Sequence, residues 1–480
     1  MMNNRIMQFF GLSLITLILA GCSTVGPDYQ RPDVVTSEGF KEAKGWKEAA
    51  PADQQPKGAW WTVYQDNTLS KLLEQVQINN QNVAEYAANY EKAKAVAEEA
   101  GANLYPSINA SVGASRSKTQ SQTGNNYTAQ ASASWELDVW GKLRRIREED
   151  SASAQASAAE LASATLSAQS SLTQDYFKLR VLDEKIHLYQ NNLTVYNQYL
   201  KVVNNQYKAG NISSSAVSQA QTQLHSTRVS MLDLKWQRAQ YEHAIAVLIG
   251  KTPAAFSLPI EPLQYQLPEI PIGIPSVLLE RRPDISYAER TMASANAAVG
   301  VAIAGYYPDL SLSVSGGFVN SALSNLFELP SRVWSIGPSL SGNIFDFGAT
   351  KAQIKQAKAG YDAKVANYRQ TVLSAFQEVE DYLVKANILA EESISQKLAT
   401  ASAKESARVT YNQFKSGMID YLDVATTEAS NLNQQQKQLN LVSEQLVNSV
   451  QLIVALGGGW DTNKLPASNK IANDTKQTKE

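Results

Sequence analysis

Cysteine is almost missing from this chain. Cys22 is the only one among 480 residues, so no disulfide can form within it. Long apolar runs are missing as well. Beyond residue 22 no stretch of 18 or more apolar residues occurs, which excludes a spanning helix there and leaves β-strands as the way to cross a bilayer. Charge of one sign is not in excess: 43 Lys+Arg against 45 Asp+Glu give a net charge of −2, with no basic footprint for nucleic acid. The three histidines, His187, His225 and His243, stand singly, without metal-ligand spacing or a nucleophile motif. No glycine-rich phosphate loop is present. The expectation is therefore no enzyme, no metal site and no cofactor.

Proline and glycine are missing where it matters most. From Lys142 to Lys208, and again from Ala349 to Lys415, there is no proline and one internal glycine, Gly360. Proline removes a helical donor and clashes with the preceding turn, so its absence permits uninterrupted helices. Each stretch would reach about 100 Å at about 1.5 Å per residue. In the second, Val365, Val372, Val379 and Ala386 recur every seven residues, and Tyr368, Ala375, Tyr382 and Leu389 form a companion seam, a coiled-coil pattern. The first is dense in Ala and Ser (Ala152, Ala154, Ala156, Ala159), which permits close helix approach. Helices are also expected before each strand pair, about Leu69 to Ala102 and Ser276 to Gly305, and after each long helix, for about 40 residues. Two shorter helices stacked end to end would then match one long one, in antiparallel pairs.

What is present begins with a secretion signal at 1–21: Arg5 as the charged region, an apolar run from Phe9 to Ala20, then Leu19-Ala20-Gly21-Cys22. That ending resembles a bacterial lipobox and makes Cys22 the lipidation site of a mature chain carrying acyl chains. The alternative is an ordinary signal peptide with an incidental cysteine. Ser23, following it, favours the outer membrane.

Four segments alternate with period two: Asn103 to Ser117, Tyr127 to Trp140, Asp309 to Asn320 and Val333 to Phe345. In the first, Ile108, Ala110, Val112 and Ala114 oppose Ser107, Asn109, Ser111 and Ser115. Such lengths, with aromatics near the ends, suit tilted transmembrane strands whose small polar residues face a lumen. Four strands cannot close a pore, so other copies must complete it. Two soluble hairpins packed on helices are the alternative.

The chain also repeats itself. Tyr105-Pro106 returns as Tyr307-Pro308, Trp140-Gly141 as Phe347-Gly348, Lys208-Ala209-Gly210 as Lys415-Ser416-Gly417, and Leu248-Ile249-Gly250 as Ala455-Leu456-Gly457. This divides the chain into a lipidated extended segment (22–66), a first repeat (67–252, strands within about 103–140, tip at about 208–213), a proline-rich crossover (253–275), a second repeat (276–460, strands within about 307–347, tip at about 415–423) and a polar, disordered tail (461–480).

Several segments resemble the outer-membrane factor family, the TolC/OprM-like channels of tripartite pumps, in its lipoprotein branch. They are Gly273-Ile274-Pro275-Ser276-Val277-Leu278-Leu279-Glu280-Arg281-Arg282-Pro283-Asp284-Ile285, Val25-Gly26-Pro27-Asp28-Tyr29-Gln30-Arg31-Pro32 and Phe345-Asp346-Phe347-Gly348. The resemblance covers nearly the whole mature chain. It implies an α+β membrane protein: a homotrimer with a 12-stranded β-barrel, four strands per protomer, continuous with an α-helical periplasmic tunnel. It implies outer-membrane lipids, a periplasmic adaptor (membrane fusion protein) and an inner-membrane RND-type transporter as partners, and passive export of drugs or other small toxic compounds. The breaks at Lys208, Ala209, Gly210 and Lys415, Ser416, Gly417 match adaptor-contact tips, as well as being plain interhelical turns. Leu422 and Asp423 match gating positions, with Thr426 standing where relatives often carry a second Asp; Tyr421 is expected to hydrogen-bond to a neighbouring helix and so hold the gate shut. A solvated carboxylate at a helix start is the plainer reading of Asp423. The channel of a type I protein secretion system, or a lipoprotein scaffold without a pore, are the alternatives.

Overall fold

The computed structural model describes residues 24–34, 39–43, 58–119, 122–263, 265–270, 278–467 and 471. The signal peptide, Cys22 and the end of the proline-rich crossover lie outside the described residues, as does most of the C-terminal tail. Among the described residues no helix is long and apolar enough to cross a membrane.

Four strands, β1 (Ser107–Thr119), β2 (Gln122–Leu137), β3 (Asp309–Asn320) and β4 (Arg332–Ser341), form one antiparallel sheet in chain order. Its register sorts side chains into continuous rows. Ile108, Ala133, Val314 and Ile336 lie opposite one another across all four strands, and the adjacent row is Asn109, Ser132, Ser315 and Ser335. Successive side chains point to opposite faces, so one face is apolar and the other lined by small polar groups. The apolar face is uncovered in the protomer: Ile108 is 79% exposed.

The long helices have the expected bounds: α3 spans Lys142–Lys208 and α7 Ala349–Lys415. Each starts after a glycine with positive φ, Gly141 and Gly348. Each ends at another, Gly210 and Gly417, where the chain turns back into α4 (Ser214–Leu248) and α8 (Tyr421–Ala455). The return helices have 35 residues each, shorter than the expected 40. They stop at Gly250 and Gly457, which end them with the same left-handed turn.

The helices preceding the strands are not continuous, contrary to the sequence expectation. The first is two helices, α1 (Asn67–Asn79) and α2 (Gln81–Ala102), parted at Asn80. The Asn80 side chain accepts the Val83 N–H (3.0 Å) and donates to the Leu248 carbonyl at the end of α4 (2.8 Å). The second is a single turn, α5 (Leu278–Arg281), then α6 (Pro283–Ala304), parted at Arg282. Arg282 donates to the Ala455 carbonyl at the end of α8 (3.2 Å), to Glu378 (2.8 Å) and to Asp284 (2.7 Å). At both breaks a side chain satisfies carbonyls that a helix end leaves orphaned. The break and the stacked end of the return helix are therefore one joint.

Near the strands α2, α3, α6 and α7 pack side by side; near the turns the order is α4, α3, α8, α7. Two straps cross this wall. Residues 24–34 and 39–43 lie along the wall: Arg31 Nε donates to the Tyr368 hydroxyl (3.0 Å), and the Lys41 and Glu42 amides donate to Glu380 (2.7 and 2.9 Å). The crossover is tied to α3 by Arg180, which donates to the Pro259 carbonyl (2.7 Å) and pairs with Glu261 (2.9 Å). At the C-terminal end, Gln155 donates to the Pro466 carbonyl (3.0 Å), and Ile471 is buried beside Ala97 and Ala154.

Gly210 and Gly250 separate backbone strain from close approach. Both have positive φ (75° and 70°), but a Cβ at Gly210 meets open space, whereas one at Gly250 lies 2.2 Å from the Asn79 carbonyl oxygen. Gly210→Ala should cost about 1–2 kcal/mol from the left-handed backbone alone. Gly250→Ala should cost clearly more and loosen the joint. Equal shifts in thermal midpoint for the two variants would contradict this.

Candidate functional site: the helical turns

The two turns opposite the strands are built alike. At the first, the Gly210 N–H donates to Tyr207 and the Asn211 N–H to Gln206 (2.9 Å each). At the second, the Gly417 N–H donates to Phe414 (2.9 Å) and the Met418 N–H to Gln413 (3.0 Å). This paired bonding satisfies the last carbonyls of α3 and α7 and requires the left-handed residue that glycine supplies. Lys208, Ala209, Gly210, Lys415, Ser416 and Gly417 are all exposed at these ends.

Beneath the turns an apolar cluster joins both hairpins. Tyr196, Tyr199 and Val203 of α3 pack with Ala220 of α4, Phe414 of α7, and Tyr421 and Val424 of α8. Tyr421 is in this core, edge-on to Phe414 with ring centroids 5.9 Å apart. Burial pushes its hydroxyl pKa up to about 12, so it stays neutral. Leu422, Asp423 and Thr426 lie on the opposite, exposed side of α8. The Thr426 hydroxyl donates to the Leu422 carbonyl (2.8 Å), which holds those two residues on one surface patch. The structure thus brings together three of the four sequence-derived gate residues and places Tyr421 behind them as packing.

The sequence reading missed the polar link inside this cluster. The Tyr199 hydroxyl donates to Glu428 Oε1 at 2.7 Å, and Glu428 is buried at 8% exposure. Tyr199 also packs on Tyr411, centroids 4.7 Å apart. Burial, then the neighbouring Glu428 carboxylate, raise the Tyr199 pKa, so the hydroxyl remains a donor. The two partners are 229 residues apart in the chain, and no local pattern marks them. Higher up the same seam, Gln436 of α8 donates to the Tyr189 hydroxyl of α3. Among the described residues no group of three or more His, Cys, Asp or Glu could hold a metal ion.

A family model of outer membrane efflux proteins matches residues 72–251 and 274–458. The "Probable outer membrane lipoprotein SilC" of Salmonella typhimurium is 30% identical over 454 residues, covering 94% of this chain and 98% of its own. The "Cation efflux system protein CusC" of Escherichia coli K12 is 29% identical over 451 residues, covering 93% and 98%. Among solved structures, the outer-membrane channel OprN superposes with a TM-score of 0.86 at 28% identity, covering 91% of this chain and 100% of its own.

Tyr199→Phe tests the buried link. It removes the donor and leaves the Glu428 carboxylate short of a partner, at a cost of about 1–3 kcal/mol. The α3–α8 contact should loosen, and hydrogen exchange over residues 411–428 should accelerate. Exchange unchanged from the parent protein would show that packing alone holds the turns together.

Proposed function

The chain belongs to the outer membrane efflux protein family and is an outer-membrane efflux channel, and from that premise we propose that three copies close a 12-stranded barrel above a helical tunnel, the passive exit duct of a tripartite pump. The sheet carries this reading. Its apolar rows suit lipid, its serine rows suit a water-filled lumen, and β1 and β4 are open edges in the protomer. Joining β1 of one copy to β4 of the next leaves no edge.

The helical wall supports the same closure. α4 and α7 are its two flanks near the turns, and both expose apolar residues: Leu232 (55%), Trp236, Ile394 (65%) and Leu398. The chain is an internal duplication on this reading, supported by paired helices of 67 and 67, and 35 and 35, residues. The offset between matched glycines is 207 residues (348 − 141 = 207). Applied to the α3–α8 seam, where Tyr199 faces Glu428, that offset generates an α7–α4 seam between copies. It sets Ile394 level with Leu232 and Leu398 level with Val229. Exposed apolar side chains thus meet apolar side chains, at equal heights, in a contact that closes as a ring.

At the far end of the duct the exposed turns with Lys208-Ala209-Gly210 and Lys415-Ser416-Gly417 meet a periplasmic adaptor, which links the duct to an inner-membrane transporter of the RND type. Leu422, Asp423 and Thr426 form the constriction, backed by the buried Tyr421. Three Asp423 carboxylates around one axis would repel and favour cations. Cys22 carries the lipid anchor. Thr24 and Val25 support this placement, because Val25 N–H donates to the Trp140 carbonyl (3.0 Å) at the foot of the barrel. Thr24 is two positions after Cys22, at most about 7 Å of chain.

Single-channel recording of the purified protein in a planar bilayer tests the duct. Discrete conductance steps are expected, and Asp423→Ala should raise basal conductance while reducing cation selectivity. A trimeric preparation that never conducts would overturn the reading. Ile394→Glu should shift the population from trimer to monomer in a mass measurement in detergent, because it buries a charge in the inter-copy seam. Trimers of unaltered stability would contradict that seam.

A further inference from the structure

Between α3 and α6, running down the wall from the foot of the strands, lies a cavity of about 440 Å³. Tyr29, Arg144, Arg147, Glu148, Gln155 and Arg290 line it, with small residues of α3 and α6 between them. Most of its charges are already matched. Arg144 pairs with Asp138 (3.0 Å), Arg290 with Glu289, and Glu148 with the buried Arg145 (2.7 Å). Tyr29 donates to Glu289 and stacks under the Arg290 guanidinium, while Gln155 accepts from Arg290 (3.2 Å). Arg147 differs: half-buried at the rim, it makes no ion pair or hydrogen bond among the described residues. Arg145 also pairs with Asp28 (2.9 Å), so acids balance the arginines around this polar, partly enclosed cavity, and Arg147 stands out as the lining guanidinium without an ion pair among the described residues.

Its depth is defined by the aromatic residues at the foot of the sheet. Trp140 stacks on Tyr307 (4.8 Å), while Tyr105, Tyr306 and Phe347 are exposed around them. Such a girdle marks the membrane–water boundary. Arg144 and Arg147 follow Gly141 by three and six residues, about 4.5 and 9 Å along α3. The polar headgroup layer is about 5–7 Å thick on each side of the hydrocarbon, and an arginine head reaches several ångströms toward it from a longer stem. The strap that leads back to Cys22 passes the same cavity at Tyr29.

We propose that the end of this cavity nearest the strands binds the phosphate of an anionic glycerophospholipid in the leaflet facing the helical end, with Arg147 as its principal charge and Arg144 as a flanking donor. The placement rests on the membrane-spanning reading above. The Arg147 guanidinium offers a phosphate a charge-assisted donor, a role that a lysine ammonium also fills as a point charge. The site would fix the height of the wall in the membrane next to the lipid anchor.

Native mass spectrometry of the full-length protein in detergent, titrated with phosphatidylglycerol and separately with inorganic phosphate, tests the proposal. The parent protein should retain phosphatidylglycerol. Arg147→Gln should reduce that occupancy at least fivefold, and Arg147→Lys should keep most of it. Equal occupancy in Arg147→Gln, or equal loss in both variants, overturns the site, because the claim is a cation at this position. Phosphate adducts that compete with lipid at millimolar concentration overturn the lipid reading in favour of free phosphate. Conductance is recorded on the same samples. A variant that conducts but holds no less lipid sinks this inference alone, whereas a parent protein that neither inserts nor conducts sinks the channel reading.

Discussion

A β-sheet in lipid cannot have an edge, because each unpaired backbone N–H or C=O in hydrocarbon costs several kcal/mol. This chain supplies four strands with an apolar face laid bare and both outer strands open. The requirement to pair those strands propagates downward. If copies join at β1 and β4, their helical walls must join too, and the wall has to present complementary flanks at matching heights. The exposed apolar residues of α4 and α7 meet that requirement.

Below the sheet, the wall is held in register by two rails and two joints. The rails are α3 and α7, 67 residues each, without a proline to kink them. The shorter helices, 22 and 35 residues in each half, approach that length by stacking, and the stacking points are where helix ends would otherwise leave buried carbonyls unpaired. Asn80 performs this for Leu248 and Arg282 for Ala455. One joint uses a neutral amide and the other a guanidinium shared among Asp284, Glu378 and a carbonyl. The second joint is therefore tied to α7 and α8 through one side chain, whereas in the first half the tie to the rail is made separately, by the Tyr176 hydroxyl of α3 donating to Asp66 (2.6 Å). The two halves share geometry while differing in which residues make the ties.

The same difference runs to the turns. Both use a left-handed glycine, and both expose it. Beyond the first stands Ala216, partly buried; beyond the second stands Asp423, exposed. Tyr199 and Glu428 bind the two hairpins across the cluster beneath. A constriction formed by the second hairpin would thus be restrained by the first, through one buried hydroxyl–carboxylate contact and the aromatic packing around it.

Much of this was written locally. The bounds of α3, α7 and β3 follow from glycine positions, the lack of proline and period-two alternation, signals that act within a few residues. Membership in a channel family was legible in motifs such as Arg281-Arg282-Pro283-Asp284, although why Arg282 matters was not. The set Leu422, Asp423 and Thr426 was singled out by the family resemblance, and the structure places all three on the exposed side of α8. The break at Asn80 was not legible, since an Asn within an apolar helical pattern costs little by itself, whereas the break at Arg282 is marked by Pro283, which pushes the residue before it out of the helical region. Asn80 ends a helix here because a carbonyl 168 residues away accepts its side chain. Nor could Tyr421 be assigned to packing and Tyr199 to the hydrogen bond from their spacing. The sequence by itself determined which segments are strand, rail and turn, because backbone propensity is local. Only the tertiary structure decided which polar groups meet, because a buried carboxylate or carbonyl takes whichever donor the packing brings within 3 Å.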